Sequence, residues 1–190
     1  MRLPHPCRGL LLLGALALAG CTLLTKAEPL EVTYLAPPLP EATPAAGASG
    51  PALRMTRVAA SAHLRERVLV AKGKHSFRQS DAWHWTEEPS GYLERALDVV
   101  LFESGAFTRH MSAAPRTLEV ELTAFELEGT ERVEAHVAAH LLLHDDSRAL
   151  REGTLRSRVR VSDPEDPDAV AQAFGKALDE VAQGLAQRLR

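Results

Sequence analysis

The chain has 190 residues with 22 Lys and Arg against 25 Asp and Glu, a net charge of −3, and 45% hydrophobic residues. That is enough chain for one domain with a sizeable core. A mildly acidic chain without a basic run argues against nucleic-acid binding. Its two cysteines, Cys7 and Cys21, do not make a disulfide framework.

The opening "MRLPHPCRGLLLLGALALAGC" has two arginines, an apolar run and then Leu18-Ala19-Gly20-Cys21. This predicts a signal peptide over residues 1–20. The apolar run falls short of the roughly 20 residues a spanning helix needs. Small residues directly before a cysteine resemble the bacterial lipobox, so Cys21 is the expected lipidation site, acylated after cleavage. Two or more acyl chains hold a protein stably on a membrane. Loss of Arg2 and Arg8 with the leader makes the mature chain more acidic, and acylation of Cys21 leaves it without a free thiol.

Residues 21–51 read as a lipidated N-terminus and tether, holding half of the twelve prolines. Such composition gives an extended, semi-rigid spacer. Within it "LEVTYLA", residues 30–36, predicts a short strand stopped by Pro37 and Pro38.

Residues 52–190 predict a single folded domain. "ALRMTRVAASA" and "ERVLVAKGKHSFRQS" read as strands around His63-Leu64-Arg65, the second running on to Trp83 and Trp85. These two indoles share one face of an extended chain. Trp85 is expected in the core, whereas Trp83 is either core or an exposed contact for another subunit. Thr86 is the expected cap of a helix with Glu87, Glu88 and Pro89 in its first turn. Leu93, Ala96, Leu97, Val100 and Leu101 supply its apolar stripe, and Gly105 its end.

Three strands follow in "TLEVELTAFELEG", "ERVEAHVAAHLLLHDD" and "ALREGTLRSRVRVS". Leu118, Val120 and Leu122 alternate with Glu119 and Glu121. Phe125 and Leu127 then change parity, which predicts a bulge near Ala124. A last helix begins at Asp166-Pro167 and carries Val170, Phe174, Ala177, Leu178, Val181, Leu185 and Leu189 on one side. The expected fold class is α+β: a mostly antiparallel sheet with two amphipathic helices on one face.

No catalytic constellation or cofactor motif appears, so an enzyme is not expected. His136, His140 and His144 would form a zinc-binding stripe on a helix. On a strand, residues four apart lie about 13 Å from one another, so no metal site is expected there. Arg156, Arg158 and Arg160 share a strand face and are expected to pair with Glu119, Glu121 and Glu134. The alternative is a grip on phosphates or an acidic partner, which makes these arginines, with Trp83, the interface candidates.

"YLAPP", then "WTEEPSGYL" (residues 85–93), "LFESGAF" (residues 101–107) and an Ala-rich terminal helix together resemble the ABC-type transport auxiliary lipoprotein family, including its paraquat-inducible outer-membrane type. Trp85, Glu87, Pro89 and Leu93 fall on that family's spacing, and Ser104, Gly105 and Phe107 on its helix-ending turn. Glu88 departs from it, standing where many members have a second proline. The resemblance implies a non-enzymatic, periplasm-facing outer-membrane lipoprotein that docks an MCE-domain protein, whose inner-membrane permease and ATPase drive lipid movement. Thr22 is compatible with outer-membrane sorting, and ring-forming members make a homo-oligomer an expectation. Other functions compatible with these residues are a periplasmic lipoprotein that binds metal or an anion through the His/Arg sheet face, and a generic envelope-assembly lipoprotein.

Overall fold

The structure is a computed structural model and describes residues 30–42, 50–73, 76–112, 115–145 and 148–190. The leader, Cys21 and much of the tether lie outside the described residues. Val32–Arg190 form one compact unit.

Its centre is a meander of β7 (Thr117–Glu128), β8 (Glu134–Asp145) and β9 (Arg148–Arg160), with both pairings antiparallel. Strict alternation on β8 puts Ala135, Val137, Ala139, Leu141 and Leu143 in the core. The register with β7 shifts between Leu122 and Ala124. Thr123 is therefore the extra residue of the expected bulge, and its Oγ1 donates to the Ala138 carbonyl oxygen at 3.2 Å. The shift keeps Phe125 and Leu127 buried beside Leu118, Val120 and Leu122 and turns Glu126 and Glu128 to the opposite face.

The other edge of β7 is met by three short strands in succession, all parallel to it: β2 (Ala52–Met55), β3 (Ala59–Ala60) and β4 (Arg67–Gly73). β4 pairs antiparallel with β5 (Ser76–Trp85), β5 carries β1 (Thr33–Leu35) in parallel, and β6 (Thr108–Arg109) lies parallel to β2. The sheet is thus mixed, with its long pairings antiparallel and most of its short ones parallel. Two strand expectations are corrected. The segment from residue 52 breaks into β2 and β3, and the "ERVLV…" segment is the two antiparallel strands β4 and β5.

α1 (Pro89–Asp98) continues into a π-helical turn, Val99–Glu103, and Gly105 ends the helical run at φ 76°, a conformation glycine adopts without strain. Thr86 does not cap the helix. Glu88 is the N-cap and is extended, because the residue before a proline avoids the helical region. Thr86 Oγ1 instead lies 2.7 Å from the Tyr92 hydroxyl, and Tyr92 donates to the Leu35 carbonyl oxygen at 3.2 Å. α2 (Pro167–Leu189) starts as expected, with the Asp166 carboxylate accepting from the Asp168 N–H at 3.0 Å. Its whole predicted stripe is buried.

Both helices pack on the face that carries the apolar residues of β7 and β8. At the centre Trp85, 2% exposed, lies edge-on to Phe125 and Phe174, with ring centroids 5.0 and 4.9 Å away. Aromatic pairs favour this arrangement. The sheet's opposite face has no helix on it among the described residues.

Candidate functional site: the uncovered sheet face and its free edge

Alternation that buries one side of β7, β8 and β9 sends polar residues to the other. Across these strands the register sets Glu126, His136 and Arg158 side by side, and next to them Glu128, Glu134 and Arg160. His136 Nδ1 lies 2.9 Å from Glu128 Oε1 and 3.3 Å from Glu126 Oε1. The Arg158 Nε–H donates to Glu128 Oε2 at 2.8 Å, and the Phe125 N–H donates to Glu126 Oε2 at 2.9 Å.

Two members of this group are deep. Glu126 is 5% exposed and His136 7%. Buried polar groups are costly unless paired; the Glu126 carboxylate and His136 Nδ1 have partners here, whereas the buried His136 Nε2 has none among the described residues. Burial alone would raise the Glu128 carboxyl. The Arg158 hydrogen bond and the charges of His136 and Arg158 outweigh it, and the carboxyl sits below its ordinary value. The same hydrogen bond raises the Arg158 guanidinium.

Ligand atoms of Glu126, Glu128 and His136 lie within 4.8 Å of one another, close enough to share an ion. Arg158 already supplies a cation to Glu128, so the geometry is that of a hydrogen-bonded polar network within the sheet. Each of these strands is legible in the sequence, but their conjunction is not. The signal was the parity change after Leu122, which moves Glu126 and Glu128 onto the histidine face.

The three histidines occupy every second outward position of β8, with Ala138 and Leu142 between them, and each has its own carboxylate. His140 Nε2 is 3.4 Å from Glu152 and His144 Nε2 3.2 Å from Glu119. The structure does not bring the three together. The expected arginine pairing is corrected as well. Glu119 is with His144, Glu121 accepts from the Ser61 hydroxyl at 3.2 Å, and Glu134 is held by Arg132 at 3.0 Å. Of the arginine row only Arg158 is in an ion pair among the described residues, and its partner is Glu128. Arg156 stands opposite Ala138, which has no charge to offer.

Trp83 lies on the helix side of β5, half-buried against the core. It lines a surface depression of about 280 Å³ with Val70, Leu127 and Pro164. Trp83 and the arginine row are therefore on different faces of the sheet. No helix among the described residues is long and apolar enough to cross a membrane.

Residues 34–186 match the family model of the ABC-type transport auxiliary lipoprotein component. Among proteins of curated function, none matches the chain in sequence. Among solved structures, protein XCC0632 from Xanthomonas campestris is 21% identical and superposes with a TM-score of 0.71, over 83% of this chain and 94% of its own. A second crystal structure, of an uncharacterised protein, is 13% identical with a TM-score of 0.67, over 84% and 99%. The protein CT253 from Chlamydia trachomatis is 9% identical with a TM-score of 0.51, over 74% and 95%. At these identities the likeness is one of fold.

Proposed function

The chain belongs to the ABC-type transport auxiliary lipoprotein family, and from that premise we propose that it is a lipid-anchored adaptor of an MCE-type lipid transport system. In this reading Cys21 carries the acyl chains, the residues between Cys21 and β1 span from the outer membrane, and the α+β body, β1 included, faces the periplasm. There it engages an MCE-domain protein whose permease and ATPase sit in the inner membrane.

The observation that carries the proposal is that the family match runs from the YLAPP segment to the terminal helix, with Leu18-Ala19-Gly20-Cys21 upstream of it. A non-enzymatic role is supported by how the polar groups are used. Glu126, Glu128, His136 and Arg158 bond to one another, and Ser61 to Glu121. The Ser80 hydroxyl accepts backbone N–H groups of Ala82 and Trp83. These groups hold the sheet together.

The test is affinity purification of the full chain, tagged at its C-terminus, from cross-linked cells of its own host. An MCE-domain protein should be recovered with it, and Cys21→Ala should shift the chain from the outer-membrane fraction to the soluble one. Recovery of no transport component, or unchanged fractionation of Cys21→Ala, would refute the corresponding half of the proposal.

A further inference from the structure

An adaptor needs a surface that recognises its partner, and β9 is unusual in two independent ways. Its 13 residues form the end of the sheet: it pairs with β8 along its whole length, and no other described strand pairs with it. A row of backbone N–H and C=O groups therefore points outward, the arrangement that templates a further strand. It also carries five arginines and one glutamate, in a chain where acids outnumber bases.

These charges are placed in register. Arg156, Arg158 and Arg160 project from the uncovered face at every second residue, about 6.8 Å apart. Arg158 is engaged by Glu128. Among the described residues no ion pair holds Arg156 or Arg160, because the neighbour of the first is Ala138 and the carboxylate opposite the second, Glu134, is taken by Arg132. On the other face of the same edge, Leu155 and Val159 pack against the core but remain half-buried.

We infer that the free edge of β9 is a docking strip for an extended segment of a partner protein in which acidic and apolar residues alternate, added to the sheet as its next strand. The partner's backbone completes the edge. Its carboxylates fall beside Arg156 and Arg160, and its apolar side chains extend the surface of Leu155 and Val159. This mode of recognition takes affinity from main-chain hydrogen bonds and specificity from alternate side chains.

Charges on edge strands also guard against unwanted pairing, and here that explains selectivity as well. A second copy of β9 would bring arginines against arginines, whereas an acidic strand meets opposite charges in the same positions. The strip deepens the adaptor reading above and rests on it for the identity of the partner.

The test uses the full chain in detergent and a fluorescein-labelled ten-residue peptide with glutamate at every second position and valine or threonine between. Fluorescence anisotropy should show binding. The doubly substituted Arg156→Glu/Arg160→Glu chain should bind about tenfold more weakly, since two cross-strand pairs turn from attraction to repulsion. Both side chains are exposed and, among the described residues, outside any ion pair, and circular dichroism checks that the variant folds. A peptide N-methylated at alternate amides, or one with lysine for glutamate, should not bind the unsubstituted chain.

Equal binding by the double variant, or full binding of the N-methylated peptide, overturns the inference. So does absence of peptide binding, and vesicles containing phosphatidylglycerol that bind through the same two arginines would then assign the strip to lipid headgroups. The outcomes also separate the strip from the adaptor reading. An MCE protein recovered equally with both chains removes the strip and leaves the adaptor. Peptide binding by a chain that recovers no transport component does the reverse.

Discussion

The indole of Trp85 stands edge-on to the ring of Phe174, their centroids 4.9 Å apart, and so joins the end of β5 to the middle of α2. Phe125 completes the contact from β7 at 5.0 Å. One side chain thereby holds three elements that are distant in sequence. Trp85→Ala should destabilise the fold by about 3–5 kcal/mol, read from urea denaturation. Trp83→Ala should cost clearly less, because that ring is only half-buried. Equal shifts of the two midpoints would contradict this assignment.

Gly175 and Gly184 both lie within α2, where alanine is intrinsically better by about 1 kcal/mol, yet they should respond with opposite sign. A methyl group at Gly175 would lie 2.5–2.6 Å from Cγ, Cδ and the carbonyl oxygen of Pro38. The segment after β1 would have to lift from the helix. At Gly184 the nearest atom is Leu155 Cδ2 at 2.7 Å, the mobile end of a side chain. Gly175→Ala should lower the melting temperature, and Gly184→Ala should leave it unchanged or raise it. The reverse order would show that Pro38 is not seated on α2.

The three histidines of β8 are equivalent in spacing but not in burial. His136→Ala removes the side chain that contacts the buried Glu126 and should cost about 1–3 kcal/mol. His140 is half-exposed and pairs with a solvent-exposed Glu152, so His140→Ala should fall within about 0.5 kcal/mol of the unsubstituted chain. Denaturation at neutral pH separates the two. Similar losses would mean that the face is shielded from solvent by something beyond this chain.

Glu128 links stability to acid. Its carboxyl is lowered in the folded state, so the unfolded chain takes up that proton first as pH falls. The stabilisation is complete well above the ordinary glutamate value of about 4.3 and is lost as pH drops through the lower, folded value. Glu128→Gln should cost up to about 1 kcal/mol near neutrality, the scale of a solvent-accessible ion pair. The difference from the unsubstituted chain should shrink toward acid pH. A difference independent of pH would assign the loss to packing and not to charge.

The local patterns carried far into the structure. Alternation along β8 specified which side chains enter the core, and the parity change after Leu122 located the bulge now seen at Thr123. The stripes of both helices emerged buried. Legibility failed where a local motif competed with a distant contact: Thr86 has the chemistry of a cap, but Pro89 fixes the helix start and Tyr92 takes the hydroxyl.

Of the candidate site, Arg156, Arg158 and Arg160 were identified as a row, but their partners were not. Glu128 reaches Arg158 across β8, a relation set by the registers of two strand pairs and invisible in either segment. The parallel pairing of the short strands beside β7 also left no signature, because a pairing between residues some 60 positions apart depends on backbone hydrogen bonds that any side chain permits.

What the sequence determined by itself is the alternation and helical periodicity that divide each element into a buried and a solvated side, since both follow from the geometry of a single segment. Only the tertiary structure decided which elements became neighbours, which charges were cancelled, and that β9 was left as the open edge. Those depend on chain closure and register, and no segment contains them alone.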